Sequence, residues 1–151
     1  MIKVRLAGPD DAIDILDWRN DSQTRIMSWN NDIIDKKTHI EWFNDSIENR
    51  KRILLIAELE EMKVGMIRFD LLPKIVKVWR VSIIVAPESR NQGLGANLLT
   101  QAIVYFGSKF PGASVLAEVK ASNTASHSIF ERVGFSKIEF SEEKNVYLLE
   151  L

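Results

Sequence analysis

The sequence predicts one α/β (α+β) domain over residues 1–151, with a mixed central sheet of about seven strands flanked by about four helices. A strand, helix, strand, helix order runs from Val76 to Val133, which requires local parallel pairing. Two pairs of apolar runs, Ile53 to Leu71 and Phe135 to Leu151, read as hairpins, so antiparallel pairing coexists with it. The 151 residues are 46% hydrophobic and 27% charged, with no repeat or linker, which suits a single buried core.

Ile2 to Leu6 alternates apolar and basic residues as a first strand, closed by Gly8-Pro9. Pro9, Asp10 and Asp11 suit a helix start, with Ile13, Leu16 and Ala12 as the inward face and an end near Trp18 to Asn20. Asp21 to Asp35, DSQTRIMSWNNDIID, mixes turn residues with Met27 and Trp29 and reads as a long loop or short helical pieces; such segments often carry function. Asp35 suits the cap of a second helix, with Ile40, Phe43 and Ile47 in one stripe and His39, Trp42 and Ser46 in the next. Ile53 to Leu59 and Val64 to Leu71 form a hairpin through the charged turn EEMK, and Val76 to Val85 forms a longer strand stopped by Pro87. Leu94, Leu98, Ala102 and Phe106 recur every four residues in a helix that ends between Gly107 and Gly112. Ser114 to Val119 reads as a strand, Asn123 to Val133 as a helix, and Phe135 to Phe140 with Val146 to Leu151 as a closing hairpin.

With 20 basic and 21 acidic residues there is no global attraction to nucleic acid or to anionic lipid, so neither is expected as a partner. The absence of cysteine removes disulfides, thiolate metal sites and a cysteine nucleophile, and no metal is expected. No signal-peptide core or membrane-spanning run is visible, which makes a cytoplasmic location the expectation.

The segment VAPESRNQGLGANLL, Val85 to Leu99, has the parts of an anion site: a strand end, glycines that let backbone approach a ligand, and amides at a helix start, with Arg90 beside them. No Gly-Lys-Ser/Thr follows, so it is not a Walker A loop, and Leu98 stands where a dinucleotide fingerprint needs its third glycine. The pattern alone also fits a tight strand-to-helix connection whose glycines serve geometry only.

VAPESRNQGLGANLL resembles the pyrophosphate-binding segment of the GNAT superfamily of N-acetyltransferases, and NTASHSIFERVGF, Asn123 to Phe135, resembles that superfamily's second signature. The order of strands and helices agrees, so the likeness spans nearly the whole chain. It implies a GNAT-like fold and acetyl-CoA as the donor. By the same resemblance, amides of Asn91, Gln92, Gly93, Leu94, Gly95 and Ala96 hold the pyrophosphate, with Arg90 beside them. The backbone of Ile83, Ile84 and Val85 pairs with the pantetheine arm, and Asn123 reaches that arm from the following helix. A homodimer is a further family expectation.

Direct attack needs a neutral amine, a donor to the oxyanion and an exit for the thiolate, and it needs no covalent enzyme intermediate. By resemblance, a backbone amide near Val85 is the oxyanion donor. The aromatic position of the second signature, commonly a proton-donating tyrosine, is Phe130, which reads as a core residue beside the thioester. A thiol with a pKa of about 8.5 still leaves as a thiolate, and Ser126, Ser128 or a water are the candidate substitutes. Glu118, near the end of its strand, is the candidate base through water; its plain reading is a strand carboxylate paired with Lys120. Arg80, in RVSI, stands where relatives often carry an acid.

Trp18, Trp29 and Trp42 gather in the first third of the chain with Arg19, Met27 and His39. The segments LDWRND, MSWNND and KKTHIEWF resemble the substrate region of sugar-nucleotide N-acetyltransferases, notably one acting on a UDP-linked 4-amino sugar in the pseudaminic-acid pathway. Arg19 then clamps a diphosphate, Met27 or Trp29 packs on base or sugar, and His39 bonds a phosphate or hydroxyl. Plain packing accounts equally for Trp18 and Trp42. The alternatives are a protein N-terminus, a polyamine or another small amine as acceptor, or an acetyl-CoA-binding module without turnover. His127 reads as a surface or cofactor-adjacent residue.

Overall fold

In the computed structural model, which describes residues 1–151, seven strands share one sheet. They are β1 (Ile2–Leu6), β2 (Arg52–Leu59), β3 (Met62–Leu71), β4 (Val78–Val85), β5 (Ser114–Lys120), β6 (Ser136–Phe140) and β7 (Lys144–Glu150). Their spatial order is β1-β2-β3-β4-β5-β7-β6. Only β4 and β5 run parallel; every other pair is antiparallel, as the mixture of crossover and hairpins requires.

Five helices cover the sheet: α1 (Ala12–Asn20), α2 (Ser22–Met27), α3 (Lys36–Glu48), α4 (Leu94–Lys109) and α5 (Thr124–Val133). Helix α4 buries Leu98, Leu99, Ala102 and Phe106 on one face of the sheet, where the Phe106 ring stacks 4.2 Å from that of Phe69 and meets Trp79 edge-on at 5.2 Å. Ile15 and Trp18 of α1 and Phe43 of α3 cover the other face, against Leu54, Ile56 and Met66.

Several expected details are corrected. The fifth helix is α2, one of the short helical pieces allowed for the Asp21–Asp35 segment; it lacks hydrophobic periodicity because none of its residues is buried, and Asp21 starts it by accepting the Thr24 N–H at 3.1 Å. In α1 the inward stripe is Ala12, Ile15, Leu16 and Trp18, and Ile13 faces out. In α3 the buried stripe is His39, Phe43 and Ser46, while Ile47 is exposed. The helix is rotated by one position because the two polar side chains have partners inside: His39 meets the Ala12 carbonyl, and the Ser46 hydroxyl donates to the Trp42 carbonyl. Strand β4 begins at Val78 because Lys77 takes a left-handed φ of 60°.

One feature of the sheet positions the site. Strands β4 and β5 pair only through Val78↔Ser114, Trp79↔Val115 and Arg80↔Leu116. Beyond that point β5 follows β7 as far as Lys120↔Lys144, and the second half of β4 is left with a free edge.

Candidate active site

An open cleft of about 380 Å³ occupies this gap. Ile83, Ile84 and Val85 form one wall, the turn from Ser89 to Ala96 the floor, and Asn123, Ser126, Ser128 and Ile129 the facing wall; Gln23, Thr24 and Met27 of α2 close it from above.

Both backbone edges of the cleft present donors. The Leu72 N–H bonds the Val78 carbonyl and the Ala86 N–H bonds the Val64 carbonyl, which sets the alternation of the β3–β4 ladder. Ser82 and Ile84 therefore turn their amides to β3, and Ile83 and Val85 turn theirs to the free edge. At the floor, Asn91 (φ 62°) and Gly93 (φ 70°) are left-handed and swing the chain into α4. Gly93 is the N-cap and supplies no side-chain acceptor, so the first-turn amides of α4 face the cleft uncapped. Converging uncapped amides and a positive helix end fit a diphosphate, and the free β4 edge fits an extended amide-bearing arm.

The structure gathers Ile83, Ile84, Val85, Arg90, Asn91, Gly93, Leu94, Gly95, Ala96, Asn123 and Ser128 around this cleft. Four side chains among the expected cofactor residues have partners within the protein. The Gln92 side chain donates to the Glu88 carbonyl at 3.2 Å, which leaves the expectation for its backbone amide unchanged. Phe130 is buried against Phe135 and Tyr147, with ring centres 5.1 and 5.9 Å away, and does not line the cleft. Arg90 turns its guanidinium to α2, donating to Asp21 at 2.6 Å and to the Thr24 hydroxyl at 2.7 Å. That bond holds the Asp21 carboxyl below its usual range, so the Arg90 charge is already paired and anion binding falls to the backbone. Asn123 spends its side-chain oxygen on the Ser126 N–H at 3.2 Å, capping α5.

Glu118 lies on the opposite sheet face, where β4 and β5 part. Its carboxylate accepts from Lys144 at 3.2 Å and lies 3.9 Å from Arg80; Lys120, the partner expected from sequence, instead donates to the Ile26 carbonyl at 3.1 Å. Arg19 lies 4.3 Å from the centre of the Trp42 ring and donates to His39 Nδ1 at 3.2 Å. Because the Ala12 carbonyl can only accept, His39 carries its proton on Nε2, 2.6 Å from that oxygen. His39 is fully buried, so the expected contact to substrate is corrected: it positions Arg19. Burial, and then the Arg68 and Arg52 charges, bring Arg19 down to about 10, and burial likewise lowers His39. Met27 reaches the cleft, Trp29 is 56% exposed beside Lys120, and Trp18 is core. His127 is half-buried, with Nδ1 2.8 Å from the Tyr147 hydroxyl.

Sequence reasoning missed Arg52, Arg68 and Asp70, which share the Glu118 face with Arg19 and Trp42. The available signal was MIRFDLL, an apolar strand with Arg and Asp two residues apart on one face. No three His, Asp or Glu side chains converge as metal ligands, and no helix is long and apolar enough to cross a membrane.

A sheet parted between its two parallel strands, with backbone donors converging on the gap, forms a cleft that fits a diphosphate-bearing carrier. The acetyltransferase (GNAT) domain family model matches residues 2–136, and the chain belongs to that family. It is an N-acetyltransferase that uses acetyl-CoA. No curated protein sequence matches it. Its fold is similar to that of spermidine N-acetyltransferase from Vibrio cholerae, solved with CoA and spermine (TM-score 0.88, 16% identity, 99% of this chain and 95% of that one). It is also similar to a domain from Methanocaldococcus jannaschii (TM-score 0.82, 16% identity, 100% and 99%) and to an N-acetyltransferase from Staphylococcus aureus Mu50 (TM-score 0.79, 21% identity, 100% and 98%).

Proposed function

We propose that the enzyme acetylates the primary amine of a small molecule by direct attack, with the acceptor entering from the α1–α3 face and the donor lying along the free edge of β4. The observation that carries this is the pair of unpaired amides at Ile83 and Val85 beside the uncapped start of α4. Amides of the Asn91–Ala96 turn hold the pyrophosphate, and Ile83 and Val85 meet the pantetheine arm. The Val85 N–H stabilises the developing oxyanion. Glu118 takes the amine proton through a water, as the nitrogen bonds the acetyl carbon and the carbon–sulfur bond breaks. Phe130 donates no proton, so the thiolate leaves unassisted or draws on Ser128 at the cleft wall.

For the acceptor, the spermidine enzymes among the fold relatives support the polyamine reading better than an amino-sugar nucleotide, and no comparison supports the pseudaminic-acid assignment. The test is thiol release from acetyl-CoA with UDP-linked 4-amino sugars, polyamines and peptides, alongside Arg19→Ala. Amine-dependent release is the expected result. CoA binding without release for any amine would leave a binding module in its place.

A further inference from the structure

The acceptor face of the sheet carries a concentration of positive charge that the chain does not neutralise. Across the strands, Arg52 stands opposite Asp70 and Asp70 opposite Arg80; one step along, Arg68 stands opposite Ser82. Arg19, Arg52 and Arg68 gather on the Trp42 ring at 4.3, 5.4 and 5.7 Å. Only one carboxylate is among these three guanidiniums. Asp70 accepts from Arg52 at 2.5 Å, and its second oxygen forms an ion pair with Arg68 Nε at 2.9 Å, so one carboxylate serves two guanidiniums. The polar partner of Arg19 is neutral His39. From the flanking strands, Arg80 and Lys144 face the same side and share the single carboxylate of Glu118.

Partly buried guanidiniums that outnumber their counter-charges are costly, and planar forks with N–H groups to spare match an oxyacid in shape and charge. The Arg52 and Arg68 side chains remain 25% and 22% accessible, so an incoming group can reach them. Ser82, opposite Arg68, is three residues from Val85, which puts the cluster about 10 Å along β4 from the oxyanion donor.

We propose that the acceptor is an amine bearing an oxyacid group, phosphate or carboxylate, which docks on Arg19, Arg52 and Arg68 while the amine reaches towards Val85. This rests on the acetyl-transfer reading above and narrows its acceptor; a polyamine would place cations against the same arginines.

The test is a length-matched series in the thiol-release assay: aminopentyl phosphate, aminohexanoate, hexylamine and diaminohexane. The phosphate or the carboxylate should exceed hexylamine by about ten-fold or more in kcat/KM, chiefly through KM, with diaminohexane the poorest; the better of the two acids identifies the group. In Arg68→Gln the ratio of acid to hexylamine should fall towards one, and Arg19→Gln is the second variant if Arg68→Gln does not fold. A diamine or hexylamine equal to the acids, or a ratio unmoved by either substitution, would overturn the proposal.

Binding is read separately on CoA-saturated protein. Inorganic phosphate should change the tryptophan fluorescence saturably, and this response should vanish in Trp42→Phe and in Arg68→Gln. Arg68-dependent phosphate binding without acetyl transfer to any amine would sink the transfer reading and keep the anion site. Transfer to diaminohexane without phosphate binding would do the reverse.

Discussion

Glu118 and His39 illustrate how a side chain's neighbours decide its part. Glu118 faces the point where β4 and β5 separate and is held by Lys144 and Arg80, which suits a carboxylate that orders a water beside the attacking amine. Glu118→Gln should lower kcat by about 10²-fold and remove the acidic limb of the pH profile; a full rate with that limb intact would end the assignment. His39 has no exposure, and its role passes through Arg19. His39→Phe should therefore raise KM for the acceptor while leaving KM for acetyl-CoA near the native value, a split that general loss of packing would not produce.

Among the elements, β3 and α2 shape the cleft without supplying its chemistry. A Cβ on Gly65 would stand 2.6 Å from the Ile84 carbonyl, on backbone that cannot rotate aside. Gly65→Ala should cost about 1–3 kcal/mol in thermal or denaturant unfolding and should raise KM for acetyl-CoA by shifting the Val85 amide. Helix α2 buries nothing and is tied to the turn by Arg90, Asp21 and Thr24. Asp21→Ala should cost no more than about 1 kcal/mol, yet speed hydrogen exchange across residues 21–35 and raise KM for both substrates. The glycine turn was legible in the sequence because its shape resides in the backbone, where Gly93 takes a left-handed φ and Gly95 permits the close approach of Ile129. Helix α2 was legible only as one of two alternatives, a loop or short helical pieces, because a six-residue helix with no buried face leaves no periodic trace to fix its bounds. The arginine cluster was half-legible: Arg68 and Asp70 alternate in one strand, but cross-strand register alone brings Arg19, Arg52 and Trp42 to them.

At the scale of the molecule, two buried ionisable groups, His39 and Asp11, should make stability fall towards acid pH. Burial holds His39 below its ordinary 6.5, so the unfolded chain takes up its proton first and stability falls as the pH drops from about 6.5 towards the folded value. Burial would raise the Asp11 carboxyl, but hydrogen bonds from Arg5, the Gly8 N–H and Lys63 outweigh it and hold the group well below 3.8. Its contribution is whole above about pH 5 and is lost as the pH falls from there through 3.8 towards the folded value. Melting temperature against pH should show two successive declines; His39→Gln should flatten the first and Asp11→Asn the second, with Asp11→Asn costing about 2 kcal/mol at neutral pH.

The brevity of the β4–β5 ladder has a mechanical consequence. Three residue pairs join the β1–β4 half of the sheet to the β5–β7–β6 half, against seven between β5 and β7. The two halves should therefore open as separate cooperative units, and a molecule lying along β4 should act as a surrogate strand that joins them. Without donor, amide exchange should resolve two opening events of different free energy. Saturation with CoA at 100 times its Kd, worth about 2.7 kcal/mol, should merge them into one, with Ile83 and Val85 gaining the most protection.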